Sequence, residues 1–199
     1  MAKIKHTKNE LKAQSEALAR YQRFLPMLQL KKQQLQAEIQ LIDTELESKQ
    51  SAFDGIMRDI KKWSALFAEP IDMSTLVTLD KIVTESGNIA GVNIPILKDV
   101  QMTQTPLDLF STATWLDDAQ QSMSGLIELK AHIEVLEEQK RLVKEELRTT
   151  SQRVNLFEKV KIPECRENIR TIKIFLGDEQ TAAVARGKLA KKRTKVVEL

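Results

Sequence analysis

The chain has 199 residues, of which 30% are charged, 42% hydrophobic and only 5% aromatic, with six glycines and five prolines. Such a composition argues against a compact catalytic domain and for long helices. No apolar run approaches the ~18 residues that a membrane-spanning helix needs, and the Lys-rich start lacks the apolar core of a signal peptide. The single cysteine, Cys165, allows no intrachain disulfide and points to a reducing compartment. The expectation is a cytoplasmic protein, held at a membrane only through partners.

The net charge of +3 is unevenly spread: residues 1–12 carry +3 and residues 186–199 carry +5, which leaves −5 for the body between them. Two basic ends flank an acidic middle.

Taken in order, a basic lead-in ends at Thr7 or Asn9, either of which can cap a helix. From Leu11 to Phe67 an apolar residue recurs every 3.5 positions, the spacing of a left-handed coiled-coil seam. Its core members are Leu18, Leu25, Leu28, Leu35, Ile39, Ile42, Leu46, Phe53, Ile56, Ile60 and Trp63, with Gln14, Lys32 and Lys49 as polar interruptions. At ~1.5 Å per residue this helix is roughly 85 Å long, whereas a compact domain of this size has a radius of gyration of about 16 Å. The sequence therefore predicts a rod. Pro26 predicts a kink or local break near Leu25, and Glu69-Pro70 predicts the helix end.

From Ile71 to about Thr114 the period changes. The β-branched runs Leu76–Leu79 and Ile82–Thr84, turn chemistry in Ser86-Gly87-Asn88 and Gly91, and the alternation in Val92–Val100 predict a β-hairpin. Pro95 confines its second strand to an edge or bulge. A lone two-stranded hairpin is marginal in water, so it must lean on the helices or on a partner.

A second seam follows, through Leu126, Leu129, Ile133, Leu136, Lys140, Val143, Leu147, Val154 and Phe157. After Phe157 the register slips by one residue, to Ile162, Cys165, Ile169, Ile172 and Leu176, with Pro163 at the slip. The two faces rejoin only if the helix is distorted there. Two heptad segments joined by a turn-forming insert fold back most economically as an antiparallel pair. Leu35 then lies near Val143, Trp63 near Trp115 and Leu11 near Thr171. Both basic ends come to one tip and the β-hairpin to the other. The fold class is thus all-α, a long antiparallel two-helix coiled coil with a small central β-hairpin. Its segments are residues 1–70, 71–113, 114–178 and a basic tail at 179–199, helical or disordered.

Catalytic chemistry is hard to find. There is no phosphate-binding glycine loop, since Gly87-Asn88-Ile89-Ala90-Gly91 reads as a turn. His6 and His132 have no second ligand at metal spacing. Glu134, Glu137, Glu138, Glu145 and Glu146 alternate with Lys and Arg as the wet face of a helix. No serine has a histidine beside it to act as base. No cofactor, metal or small-molecule ligand is expected. The basic C-terminus could meet phosphates, but it has no interleaved aromatics for stacking on bases, so nucleic acid ranks below a protein partner.

The block Phe24-Leu25-Pro26-Met27-Leu28-Gln29-Leu30-Lys31-Lys32, the segment Asn88 to Pro95, and Arg153 to Pro163 continuing to Leu176-Gly177-Asp178 closely resemble the D-subunit family of V-type (vacuolar/archaeal-type) ATPases and ATP synthases, in a prokaryotic form. The likeness covers nearly the whole chain in order. It implies a non-catalytic rotor shaft that couples ATP hydrolysis or synthesis in a hexameric head of A and B subunits to ion translocation. The F subunit and the subunit capping the membrane rotor ring are the other implied partners. The tip inserted in the head would carry Lys3, Lys5, Lys8, Arg186, Lys188, Lys191, Lys192 and Arg193. A free-standing coiled-coil adaptor is the alternative.

Overall fold

The computed structural model describes residues 5–63, 76–107 and 113–197, with the side chains of Trp63 and 193–197 left aside. It is mostly helical, with two long helices packed together and a central antiparallel β-hairpin. Helix α1 spans Lys8–Trp63, strands β1 and β2 span Val77–Ile89 and Val92–Gln104, α2 spans Trp115–Asn155, and a π-helical stretch at Leu156–Lys161 leads into α3, Ile162–Val197. The expected helix end at Glu69-Pro70 and the seam residue Phe67 lie outside the described residues, as do Lys3 and the side chain of Trp63. Contacts divide the chain into two units, Lys32–Thr149 and Met1–Lys31 with Thr150–Leu199.

Thr7 starts α1. Its hydroxyl accepts the Glu10 N–H at 3.2 Å and its carbonyl accepts the Leu11 N–H at 3.0 Å, so two of the helix's first amide groups are satisfied. The helix then runs without interruption through Pro26. The expected break near Leu25 does not occur.

In the unit Lys32–Thr149, α1 and α2 are antiparallel. Leu35, Ile39 and Ile42 share one buried cluster with Leu136 and Val143, Asp43 pairs with Lys140 at 2.5 Å, and Ile56 approaches the backbone of Gly125. Partners thus descend in number along α2 as residues ascend along α1. Leu35 and Val143 are fully buried at the centre, the pairing that the heptad register predicts.

The hairpin does not stand off the end of the helices. Ile94 of β2 is buried in the same cluster as Leu35 and Val143, with Ile89, Ala90 and Val92 packed against it. The base of the hairpin makes a second cluster, Leu76 and Val77 with Leu116, flanked by Met102, Trp115, Met123 and Ile127. The hairpin therefore lies back along α1 and α2, which supply the apolar cover that two strands cannot make for themselves. The turn is also tighter than expected. Ser86, Gly87 and Asn88 are paired strand residues, and only Ala90 and Gly91 turn, both at positive φ (50° and 83°). Two consecutive positive φ values define the I′ turn whose twist matches that of the strands. The Asn88 side chain holds it, accepting the Gly91 N–H at 3.0 Å and donating to Asn93 at 3.0 Å. Gly87 leaves room for the Ile96 side chain, with which a Cβ at that position would collide. Irregular register between Leu79 and Lys81 and between Val83 and Thr84 marks two bulges, which increase the local twist.

In the other unit the helices are antiparallel again. His6 stacks at 4.9 Å on Phe175, Asn168 donates to Gln14 at 3.5 Å, and the Tyr21 and Phe157 rings lie 5.0 Å apart. The one-residue slip at Pro163 has its physical counterpart in the π stretch, where the Ile162 N–H reaches back five residues to the Phe157 carbonyl. One extra residue is absorbed in a single widened turn, and the buried face continues: Thr150 and Val154 before it, Ile162, Cys165 and Ile172 after it, are all buried.

Candidate interaction surfaces

Among the described residues, no three His, Cys, Asp or Glu side chains come together as a metal site, and no helix is long and apolar enough to cross a membrane. What the fold offers instead is a set of surfaces and the devices that hold them in register.

The first device is polar pairing inside the helical interface. Lys140, a cation at a seam position, is matched by Asp43 on α1, and both side chains are only part-exposed. Gln14 does the same work with Asn168 in the other unit. Lys32 and Lys49 are half-buried, as suits long side chains whose stems are apolar and whose heads are charged. Such pairs favour one register, because a slip of one turn would leave a half-buried charge unmatched.

The second device straps the hairpin down. Gln120, buried on α2, donates to the carbonyls of Leu76 and Thr105, both at 2.9 Å, so one amide group joins the two strands at their base. Gln139, also buried on α2, donates to the Pro95 carbonyl at 2.5 Å. Buried glutamines need such partners, and neither stood out in the sequence. Helical spacing alone does not show that an amide faces a strand rather than water. Two open grooves lie where the hairpin meets the helices: one of about 310 Å³ lined by Phe53, Leu79, Ile82, Leu126 and Ile127, and one of about 280 Å³ lined by Ile94, Ile96, His132 and Gln139.

Of the predicted seam, Leu35, Ile39, Ile42, Ile133, Leu136, Val143, Val154 and Ile172 are buried. Leu18, Leu25, Leu28, Leu46, Phe53, Ile56, Ile60, Leu126, Leu147, Phe157, Ile169 and Leu176 are part-buried. A two-helix interface has no third wall, so its flanking positions stay partly wet.

Of the predicted basic tip, Lys5, Lys8, Arg186, Lys188, Lys191 and Lys192 are exposed, and the Arg193 side chain lies outside the described residues. The described start of the chain, at His6, lies beside α3 at Phe175, and the described cations are spread along their unit. His6 is level with Phe175, and α3 continues for ten residues beyond that level before Arg186. Every described side chain from Gly177 to Lys192 is exposed. Arg186, Lys188, Lys191 and Lys192 lie at several heights along this one helix.

Ion pairs on the outer faces are local. Arg141 donates twice to Glu138, at 2.7 and 2.8 Å, which holds the Glu138 carboxyl below its ordinary range and the Arg141 guanidinium above its own. Lys62 does the same to Asp59. All are solvent-exposed helix-turn pairs. Burial raises the Cys165 thiol, which suits a packing residue and not a nucleophile.

An antiparallel two-helix coiled coil with a β-hairpin strapped along it is the class that these features define. A family model described as the D subunit of ATP synthase matches residues 10–192. Similar proteins include the V-type ATP synthase D subunit of Borreliella burgdorferi, 43% identical over 96% of this chain and 95% of its own length. The V-type ATP synthase D subunit of Chlamydia trachomatis serovar L2 is 36% identical, covering 96% of both chains. That of Chlamydia pneumoniae is 34% identical over 96% of this chain and 92% of its own. The chain belongs to the ATP synthase D-subunit family, as a component of a V-type ATP synthase.

Proposed function

We propose that this chain is the central rotor shaft of its ATP synthase. As a non-catalytic component it transmits torque between a hexameric head of A and B subunits and the membrane rotor, in company with the F subunit and the ring-capping subunit. It works on the cytoplasmic side, peripheral to the membrane. The observation that carries this reading is the exposed run of α3 from Gly177 to Lys192, which extends past the level where His6 meets Phe175. A bare helix studded with Arg186, Lys188, Lys191 and Lys192 suits insertion into a surrounding protein cavity. Torque also needs a pair of helices that do not slide, and Lys140–Asp43 and Gln14–Asn168 resist sliding in each unit. The basic tip and the seam take their roles from this reading: the tip Lys5, Lys8, Arg186, Lys188, Lys191 and Lys192 engages the head, and the seam resists twist.

Co-expression with the A, B and F subunits tests it. A stoichiometric complex is expected, and removal of residues 184–199 should lower the number of ions moved per ATP while the helical content of the remaining chain persists. A chain that self-associates and ignores the ATPase components would be an adaptor, and would sink the proposal.

A further inference from the structure

The two broad faces of the helical pair near the π stretch differ sharply. Five large apolar side chains are exposed there: Leu30 (56%) on the outer side of α1, and Phe24 (48%), Met27 (63%), Leu156 (44%) and Val160 (48%). Their heptad places are informative. With Tyr21, Leu25 and Leu28 on the seam, Phe24 and Met27 fall on one flank of α1. With Val154 and Phe157 on the seam, Leu156 and Val160 fall on the corresponding flank of the partner helix, and flanks of the same kind adjoin in antiparallel pairs. The contact between the Tyr21 and Phe157 rings sets the two groups at one height.

The opposite flank at this height carries Gln22, Pro26, Gln29, Ser151, Asn155 and Glu158, a polar surface with one carboxylate and no cation. The apolar flank is rimmed by Arg20 and Arg153. Over residues 20–31 and 150–161 together there are six cations, Arg20, Arg23, Lys31, Arg153, Lys159 and Lys161, and one carboxylate, Glu158. Lys161 is already engaged by Glu164 at 3.1 Å. An exposed apolar patch with a charged rim is the usual form of a protein docking surface. The rim decides what docks. A second copy of this chain laid face to face would set arginine against arginine, which is unfavourable.

We infer that the flank formed by Phe24, Met27, Leu156 and Val160 is a one-sided docking face for another component of the same ATP synthase, which presents apolar side chains flanked by carboxylates. The inference rests on the rotor-shaft reading for its choice of partner. It goes further in assigning contact to one flank only.

The test compares two double variants that change net charge equally on opposite flanks, Arg20→Gln/Arg153→Gln and Gln22→Glu/Gln29→Glu. Each is titrated, as the full chain, against the co-purified remaining soluble components of its complex. The expected result is at least a tenfold loss of affinity for the arginine pair, steeper with added salt, and less than twofold for the glutamine pair. Met27→Glu should lose at least tenfold as well, with an unchanged thermal midpoint for the free chain. Equal losses on both flanks, or no loss on either while the wild-type complex assembles, overturn the docking face and leave the rotor-shaft reading standing. A homodimer of the free chain that Met27→Glu abolishes also overturns it, since the occupant is then a second copy. Failure of the wild-type complex to assemble overturns both.

Discussion

Replacing Ile94 with alanine tests whether the hairpin is a structural part of the helical pair or an appendage. Ile94 is almost fully buried among Leu35, Ile39, Leu136 and Val143, and the substitution removes three carbons. At ~0.8 kcal/mol per buried CH₂ the transfer cost is about 2.4 kcal/mol, and the space left behind brings it to about 3 kcal/mol. That is a change of roughly a hundredfold in the folding equilibrium. The control is Ile96→Ala on the same strand, where the side chain is half exposed over Gly87 and the expected cost is below about 1 kcal/mol. Urea unfolding followed by far-UV circular dichroism measures both, provided the slope stays the same. Hydrogen exchange of the paired amides from Glu85 to Leu97 gives an independent reading: they should lose protection in the Ile94 variant and keep it in the Ile96 variant. If the two substitutions cost the same, or if Ile94→Ala costs less than about 1 kcal/mol, the hairpin is not bound to the helices through Ile94 and the reasoning fails.

Three further outcomes are expected. A double-mutant cycle on Lys140→Met and Asp43→Leu should give a coupling of about 0.5–1 kcal/mol, modest because both groups are part-exposed; zero coupling would remove them as register holders. Deleting Lys159 returns the π stretch to α-helical spacing, which sets the Pro163 ring against the carbonyl four residues before it at a cost of ~3 kcal/mol. Adding Pro163→Ala should recover most of the lost thermal stability, and a neutral deletion would refute the link between the π turn and Pro163. Because burial raises the Cys165 pKa, the folded state favours the neutral thiol. Its contribution is complete below the unfolded thiol's pKa and is lost as pH rises through the higher folded value. Stability should therefore decline above the ordinary thiol range, and alkylation of the folded chain should lag that of the unfolded chain until that pH. A Cys165→Ala variant that retains the same alkaline decline would show that another group is responsible.

Much of this protein is legible in one dimension because its helices are governed by period. An apolar residue every 3.5 positions identifies the buried face, and antiparallel folding then pairs Leu35 with Val143 without any knowledge of the structure. Even the break in phase between Phe157 and Ile162 is visible, as a distortion whose form, one π turn, follows from having a single residue to absorb. Pro26 shows the limit of such reading. Proline predicts a break from local sterics alone, yet α1 runs on through it.

What the tertiary structure alone decided concerns groups whose environment is set by distant residues. No spacing rule places Ile94 beside Leu35, or turns the amides of Gln120 and Gln139 toward strand carbonyls, because strand and helix meet through space. The turn at Ala90-Gly91 took fewer residues than the glycine and asparagine content suggests, since once the helices covered the strands the ladder could extend through Ser86, Gly87 and Asn88. The exposed flank at Phe24 and Val160 is of the same kind. Heptad position puts Phe24, Met27, Leu156 and Val160 beside the seam, but only the fold shows that they stay exposed there.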